Sequence, residues 1–332
     1  MGKRKGMEKD DLYQYIWASK IFTQWHWFRF HFEQRLHGID HPFAESFVKT
    51  CLECDEIIPG FAVKTVDNIA SISGIEMNEP HYEQLLQKLA ELHVLHQLIA
   101  FKWPYEASYQ LEPTSGDDKK NPEIEIHTPS KIFGIEVKAP SLFSYMRIRA
   151  QNRLQYISRV TPRSAIDALR NDGMSITLPR DNPVKDFVIS ANGKFTSFKE
   201  SNSNYIGLLV IVWDDYINEP ISALQTHGSG LFTDQSFHKD KDGRPVKYPY
   251  LDGVVIIRHL HQLLHATRDE PLIDGCLHAF DYGKSVEFPY KAYLPNPDGE
   301  IVPGDLLERL QAMPISLEMG AEYNPMDLVF WT

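Results

Sequence analysis

Glu123, Glu136 and Lys138 are the residues of this chain whose types and spacing most directly suggest chemistry. The runs 122–128 and 131–138 each alternate polar with apolar residues, the period-two pattern of a half-buried strand, and Pro129-Ser130 between them supplies a turn. Centring a hairpin on that turn pairs Ile124 with Ile135 and Ile126 with Phe133 on an apolar face. On the other face Glu123 falls directly across from Glu136, with Lys138 two residues along the same side. Directly opposed side chains have Cβ atoms roughly 5 Å apart, where like charges destabilise a sheet. A cation between the two carboxylates resolves that conflict, and a hard divalent ion such as Mg2+ or Mn2+ takes carboxylate oxygens and water. A lysine beside such an ion would orient or activate a water, or neutralise charge as it develops. The plainer reading of the same residues is a charged, solvated sheet face.

The neighbouring elements must place these residues. Pro80 opens a helix running to Ile99, with Tyr82, Leu85, Leu86, Leu89, Leu92, Val94, Leu95 and Leu98 as its apolar stripe and Glu91 beside it. Residues 103–111 read as a first strand, and 114–121, which include Asp117 and Asp118, as a turn-rich loop into the hairpin. Residues 142–159 are the most basic segment of an acidic chain. In a helix Arg149 and Arg153 would share a face one turn apart, with Arg147, Gln151 and Gln155 interleaved. Such a face could contact a phosphate backbone, the plainer reading being a solvated helix. Residues 178–195 read as a loop and a helix capped by Asn182, with Lys194 able to approach the site but most simply a surface lysine. The continuous apolar run 206–213 is typical of a central strand buried on both faces, with 251–258 as another core strand.

Pro122-Glu123, a short hairpin and then Glu136-Val137-Lys138 resemble the PD-(D/E)xK signature of restriction-endonuclease-like nucleases. The order of elements extends the resemblance over roughly residues 80–265. It implies an α/β (α+β) fold, a mixed central sheet flanked by helices, with Glu123, Glu136 and possible third ligand Glu91 binding Mg2+ or Mn2+ and Lys138 positioning the attacking water. Gln151 and Gln155 would support the scissile phosphate. The implied activity is phosphodiester hydrolysis, with DNA as the default substrate, and a chain of this size with a helical extension would suit a bacterial antiviral-defence effector. The first acidic residue is Glu where the family usually has Asp, so Asp117 or Asp118 is an alternative first ligand. That departure also sustains a second expectation, a catalytically inactive module of the same fold that binds nucleic acid or a partner protein.

The chain divides in sequence into an aromatic-rich helical region (1–79), the nuclease-like core (80–268) and a proline-rich irregular cap (269–332). Residues 8–37, with Tyr13, Trp17, Phe22, Trp25, Phe28 and Phe32 mostly three or four apart, predict one long amphipathic helix. Its aromatic face would be core, or else a docking face for a second copy or a regulatory partner. A net charge of −11 confines any nucleic-acid contact to a local basic surface. The basic start lacks the apolar stretch of a signal peptide and no run is long enough to span a membrane, which together with three cysteines leads to the expectation of a reducing, cytoplasmic setting. Cys51 and Cys54, and His261 with His265, have spacings that zinc sites use, yet neither pair has the remaining ligands in pattern.

Overall fold

The computed structural model describes residues 6–72, 78–114, 121–151, 155–158, 163–173, 178–325 and 328–331. Six helices come first: α1 (Lys9–Ala18), α2 (Lys20–Thr23), α3 (Arg29–Glu33), α4 (Pro42–Ile57), α5 (Phe61–Ser71) and α6 (Glu79–Ile99). Strands β1 (Ser108–Leu111), β2 (Ile124–His127) and β3 (Ile132–Lys138) follow. Next are α7 (Phe143–Gln151), β4 (Gln155–Ser158), α8 (Arg163–Asn171), α9 (Asp181–Ser201), β5 (Tyr205–Trp213) and α10 (Asn218–Gln225). The chain continues through β6 (Gly253–Arg258), α11 (Leu260–Thr267), β7 (Lys291–Pro295), α12 (Gly304–Arg309), β8 (Ala312–Pro314) and β9 (Leu328–Trp331). It forms two compact units, residues 1–109 with 259–289, and 110–258 with 290–332. Helix α6, expected with the core, therefore belongs to the first unit, together with α4 and α11.

The first unit is helical, and its aromatic residues are its core. Tyr13, Phe28, Phe32, Phe43 and Phe47 are buried, and Phe28, Phe32, Phe43 and Phe47 meet in a run of edge-on and tilted ring contacts. Aromatic rings prefer such offset geometry to face-to-face stacking. The single long helix expected over 8–37 is instead three short α-helices and a final 3-10 turn, Gln34–His37. Ser19 ends α1 in extended backbone, and its hydroxyl accepts from Ile21 N to start α2. Tyr13, Phe28 and Phe32 are thereby turned into the core, the first of the two expectations for this segment, while Trp17, Phe22 and Trp25 stay half-buried. Gly38, at φ 75°, closes the last turn as the sequence predicts.

The second unit is built on a mixed sheet of seven described strands in the order β1-β2-β3-β5-β6-β7-β8. The β2–β3 hairpin has the expected register, Ile124 with Ile135 and Ile126 with Phe133, closed by Thr128 N donating to the Lys131 carbonyl. β3, β5 and β6 run parallel, β7 is antiparallel to β6, and β8 is parallel to β7. All nine residues of β5 are buried, as a strand covered on both faces requires. The C-terminal segment, expected to be an irregular cap, contributes β7 and β8 to this sheet: alternating Tyr293 and buried Ala292 and Leu294 continue the pleat despite the surrounding prolines. Helix α9 lies on the face carrying Tyr205, Leu209, Ile211 and Trp213, through Val184, Val188, Ala191 and Phe195.

Two glycines side by side shape that face. Gly134 and Gly207 are register partners on β3 and β5. A Cβ at Gly134 would lie 1.9 Å from the Tyr205 hydroxyl oxygen, and one at Gly207 2.6 Å from the Phe195 ring. The sheet is thus thinned where the two rings cross it. Gly134→Ala is expected to destabilise the protein by about 1–3 kcal/mol through overpacking, because buried Tyr205 is held against Phe198. Urea unfolding of the full chain measures it, and an unchanged midpoint would mean that Tyr205 moves aside freely.

The first unit carries an acid-sensitive pair. His26 Nδ1 accepts from Phe28 N at 3.0 Å and Nε2 faces the Ile69 carbonyl at 3.2 Å, which satisfies one neutral tautomer at both ends. Burial lowers the His26 pKa to about 4 against its bond to Ile69, and burial followed by the neighbouring His41 lowers His31 to about 4. A depressed imidazole pKa contributes stability above the unfolded value and loses it as pH falls. Stability is therefore expected to decline from about pH 6.5 toward pH 4, with His26→Gln flattening the slope. Tryptophan-monitored denaturation across this range tests the expectation, and a pH-independent midpoint would refute it.

Candidate active site

Alternation places Gly134, Glu136 and Lys138 of β3 on the face under α9, with Glu125 of β2 opposite Gly134. Glu136 is fully buried. Its Oε1 lies 2.6 Å from Lys138 Nζ and 2.7 Å from Lys194 Nζ, and Lys194 also donates to Oε2 at 2.8 Å. Lys138 reaches it from two residues along the same strand, and Lys194 descends from α9. The Lys138 and Lys194 side chains keep 27% and 18% of their surface exposed, so the cluster meets solvent only along the ammonium side. Glu125 is also buried, and His127 Nε2 lies 3.1 Å from its Oε2. The Tyr205 phenol is held far above its usual range by burial first and then by the charges of Glu125 and Glu136.

The expected opposition of Glu123 and Glu136 is not made. Glu123 N donates to the Ile135 carbonyl at 3.0 Å although Ile124 is the register partner of Ile135, so two residues of the β2 side face one of β3. Such a bulge re-aims a side chain, and it removes a direct like-charge pair. The carboxylate that shares the Glu136 face in unbroken register is Glu125, which sequence pattern offered as readily as Glu123 had the motif not drawn attention away. Lys194 carried no comparable signal, because only the packing of α9 brings it to β3. Glu91 lies on α6 in the first unit, 2.6 Å from Lys88 Nζ. Asp117, Asp118 and Arg153 lie outside the described residues.

The basic segment also differs from expectation. Helix α7 is described as far as Gln151, and Gln155 belongs to β4, paired with Trp331 of β9, so it cannot extend a helical face with Arg149. Strand-forming Tyr156-Ile157 follow, and their pairing overrides the helical continuation. Arg147 and Gln151 are exposed on α7. Arg149 instead turns inward, its guanidinium 4.6 Å from the Tyr145 ring centroid.

Other side chains with metal-site spacing have different duties. Cys51 and Cys54 are buried thiols whose pKa values are raised by desolvation. His261 Nε2 lies 3.1 Å from Asp274, while His265 Nδ1 faces the Pro271 carbonyl. His31, His41 and Asp269 cluster closely. There His41 Nδ1 accepts from Phe43 N, which leaves the proton on Nε2, 2.7 Å from Asp269, as a hydrogen bond rather than a free ligand position.

Removing one member of a buried ionic cluster leaves the others uncompensated. Glu136→Gln is expected to cost about 3 kcal/mol because it strands two ammonium groups, and Lys194→Met less, because Lys138 remains beside Glu136. Equal stability of Glu136→Gln and wild type in urea unfolding would show that the cluster is not held as described. Compared with family models, curated proteins and solved structures, the chain has no match.

Proposed function

We propose that the second unit is a restriction-endonuclease-like phosphodiesterase that hydrolyses nucleic acid, with DNA as its default substrate. The observation that carries this reading is a fully buried Glu136 near the end of a central strand, bracketed by Lys138 and Lys194. The antiparallel β2–β3 hairpin followed by a helical crossover into parallel β5 supports the same fold assignment.

The donor set fits a hard divalent ion. The face offers carboxylate oxygens from Glu136 and Glu125, and oxygen is what Mg2+ or Mn2+ selects. Bound there, the ion would supply Lewis acidity toward a phosphodiester and a lowered pKa for water. The chain's own groups do the rest. Lys194 anchors Glu136 from α9 and fixes its orientation. Lys138, the more exposed ammonium, is placed to hold the attacking water or to neutralise charge on the phosphoryl oxygens. Arg147 and Gln151 are exposed on the following helix, where residues of these types would contact a phosphate backbone. The same burial favours one second reading: with both lysines engaged on Glu136, the fold serves as a binding module for nucleic acid or a partner protein without turnover.

Cleavage of plasmid, linear and single-stranded DNA and of RNA, with Mg2+, Mn2+ or EDTA, separates the two. Metal-dependent cutting is expected, reduced on the order of a hundredfold or more by Lys138→Ala. Cutting that survives Lys138→Ala would place the active site elsewhere, and folded protein that cuts none of these substrates would leave the binding module.

A further inference from the structure

A second buried cluster is built at the end of β5 from residues other than those proposed to bind the metal ion and the attacking water. Arg180, immediately before α9, donates from Nε and Nη2 to Glu219 at 2.8 and 2.5 Å and from Nη2 to Asp214 at 2.7 Å. The Tyr145 hydroxyl donates to Glu219 at 2.5 Å. The Arg180 guanidinium lies 4.2 Å from the Tyr145 ring centroid and 4.5 Å from that of Trp213. Arg149 covers the other aromatic neighbours, Tyr145 and Tyr216, with Nη2 3.7 Å from Asp214, beyond hydrogen-bonding range. Two guanidinium groups against two carboxylates leave the cluster balanced in charge.

Its hydrogen bonding is not balanced. Arg149 Nε and Nη2, Arg180 Nη1 and Trp213 Nε1 are buried donors without a partner, and so is Nδ2 of Asn218, the residue before Glu219, against a single unpartnered acceptor, Asn218 Oδ1. Trp213, Asn218 and Arg180 are 0%, 1% and 7% exposed, so bulk solvent does not serve these atoms. Buried polar groups in folded proteins are almost always satisfied, and a group of exceptions in one place calls for a missing ion or molecule. The excess is of donors, which suits an anion and repels a metal. Donors spread over two guanidinium forks, an indole and an amide suit a group with three or four oxygens better than a planar carboxylate.

We infer that this cluster is a binding site for a tetrahedral oxyanion, a phosphate monoester, held by Arg149 and Arg180 together with Trp213 and Asn218. The site stands independently of the cleavage reading. Its phosphate comes either from a free phosphate compound or from the phosphorylated end of a nucleic-acid strand, and the two sources share the same recognition.

The test uses the full chain in EDTA, so that cleavage does not intervene. Inorganic phosphate is expected to raise the melting temperature in a saturable way, beyond chloride at equal ionic strength. Calorimetric affinity for phosphate is expected to fall roughly tenfold in Arg149→Lys, which keeps the charge and loses the fork, and about threefold in Trp213→Phe, which removes the indole donor and keeps an aromatic ring. Arg180 is left intact because it also holds Asp214 and Glu219. Should Arg149→Lys not fold, Trp213→Phe carries the test alone. A 5′-phosphorylated oligonucleotide that competes with phosphate where its 5′-hydroxyl counterpart does not identifies a strand end as the source. Competition by phosphate compounds alone identifies a free ligand, and either result sustains the site. A melting temperature that phosphate raises no more than chloride does would mean that water fills the cluster, and undiminished affinity in the folded variants would mean that phosphate binds elsewhere. Both overturn the proposal.

Discussion

The second unit depends on one recurring interaction: buried carboxylates at the sheet are matched by cations at or along a single helix, α9. Arg180 caps the start of that helix and meets Asp214 after β5; Lys194 meets Glu136 of β3; Lys199 meets Asp252 just before β6 at 2.6 Å. All three acids are almost or entirely buried. Asp252 is further fixed by the backbone N–H groups of Gly207 and Glu300. Buried charges of this kind are worth little net stability when paired and cost several kcal/mol when one partner is lost. What they impose is register, since a helix shifted by one turn would break three ion pairs at once.

Close approach of α9 makes that matching possible, and the glycine pair makes the approach possible. Tyr205 and Phe195 occupy the space that side chains at 134 and 207 would fill, which brings the helix backbone near enough for a lysine to reach the strand. The result is two polar clusters on one scaffold with different character. Around Glu136 the ammonium groups outnumber the carboxylate they bracket, and neighbouring Glu125 supplies further oxygen donors. Around Arg180 the charges cancel while N–H donors are left over. Oxygen-rich and donor-rich surroundings favour opposite ligands, a hard cation in the first case and an oxyanion in the second.

The helices and strands themselves were largely legible. The β2–β3 hairpin and its register, the uninterrupted core strand β5, the stop at Gly38 and the proline-initiated α6 all follow from periodicity and turn chemistry, which act over a few residues. Expectation failed where neighbours distant in sequence prevailed. The N-terminal aromatics were spaced for one helix, but burying rings around Phe43 and Phe47 required the chain to break at Ser19. Gln155 had a helical setting in sequence, and pairing with a strand more than a hundred residues later made it β.

The sequence by itself determined Glu136 and Lys138 as neighbours on one strand face, because a two-residue period leaves no other arrangement once the strand forms. It determined as well that the strands following the hairpin would be buried on both sides. Only tertiary structure decided which other groups join them. A bulge at Glu123 and the unbroken register of Glu125 depend on pairing between strands, and Lys194, Arg180 and Asn218 depend on where α9 and α10 pack. Spacing along the chain specifies what shares an element. The partners of a buried charge are chosen across elements, where desolvation penalises every group left without one.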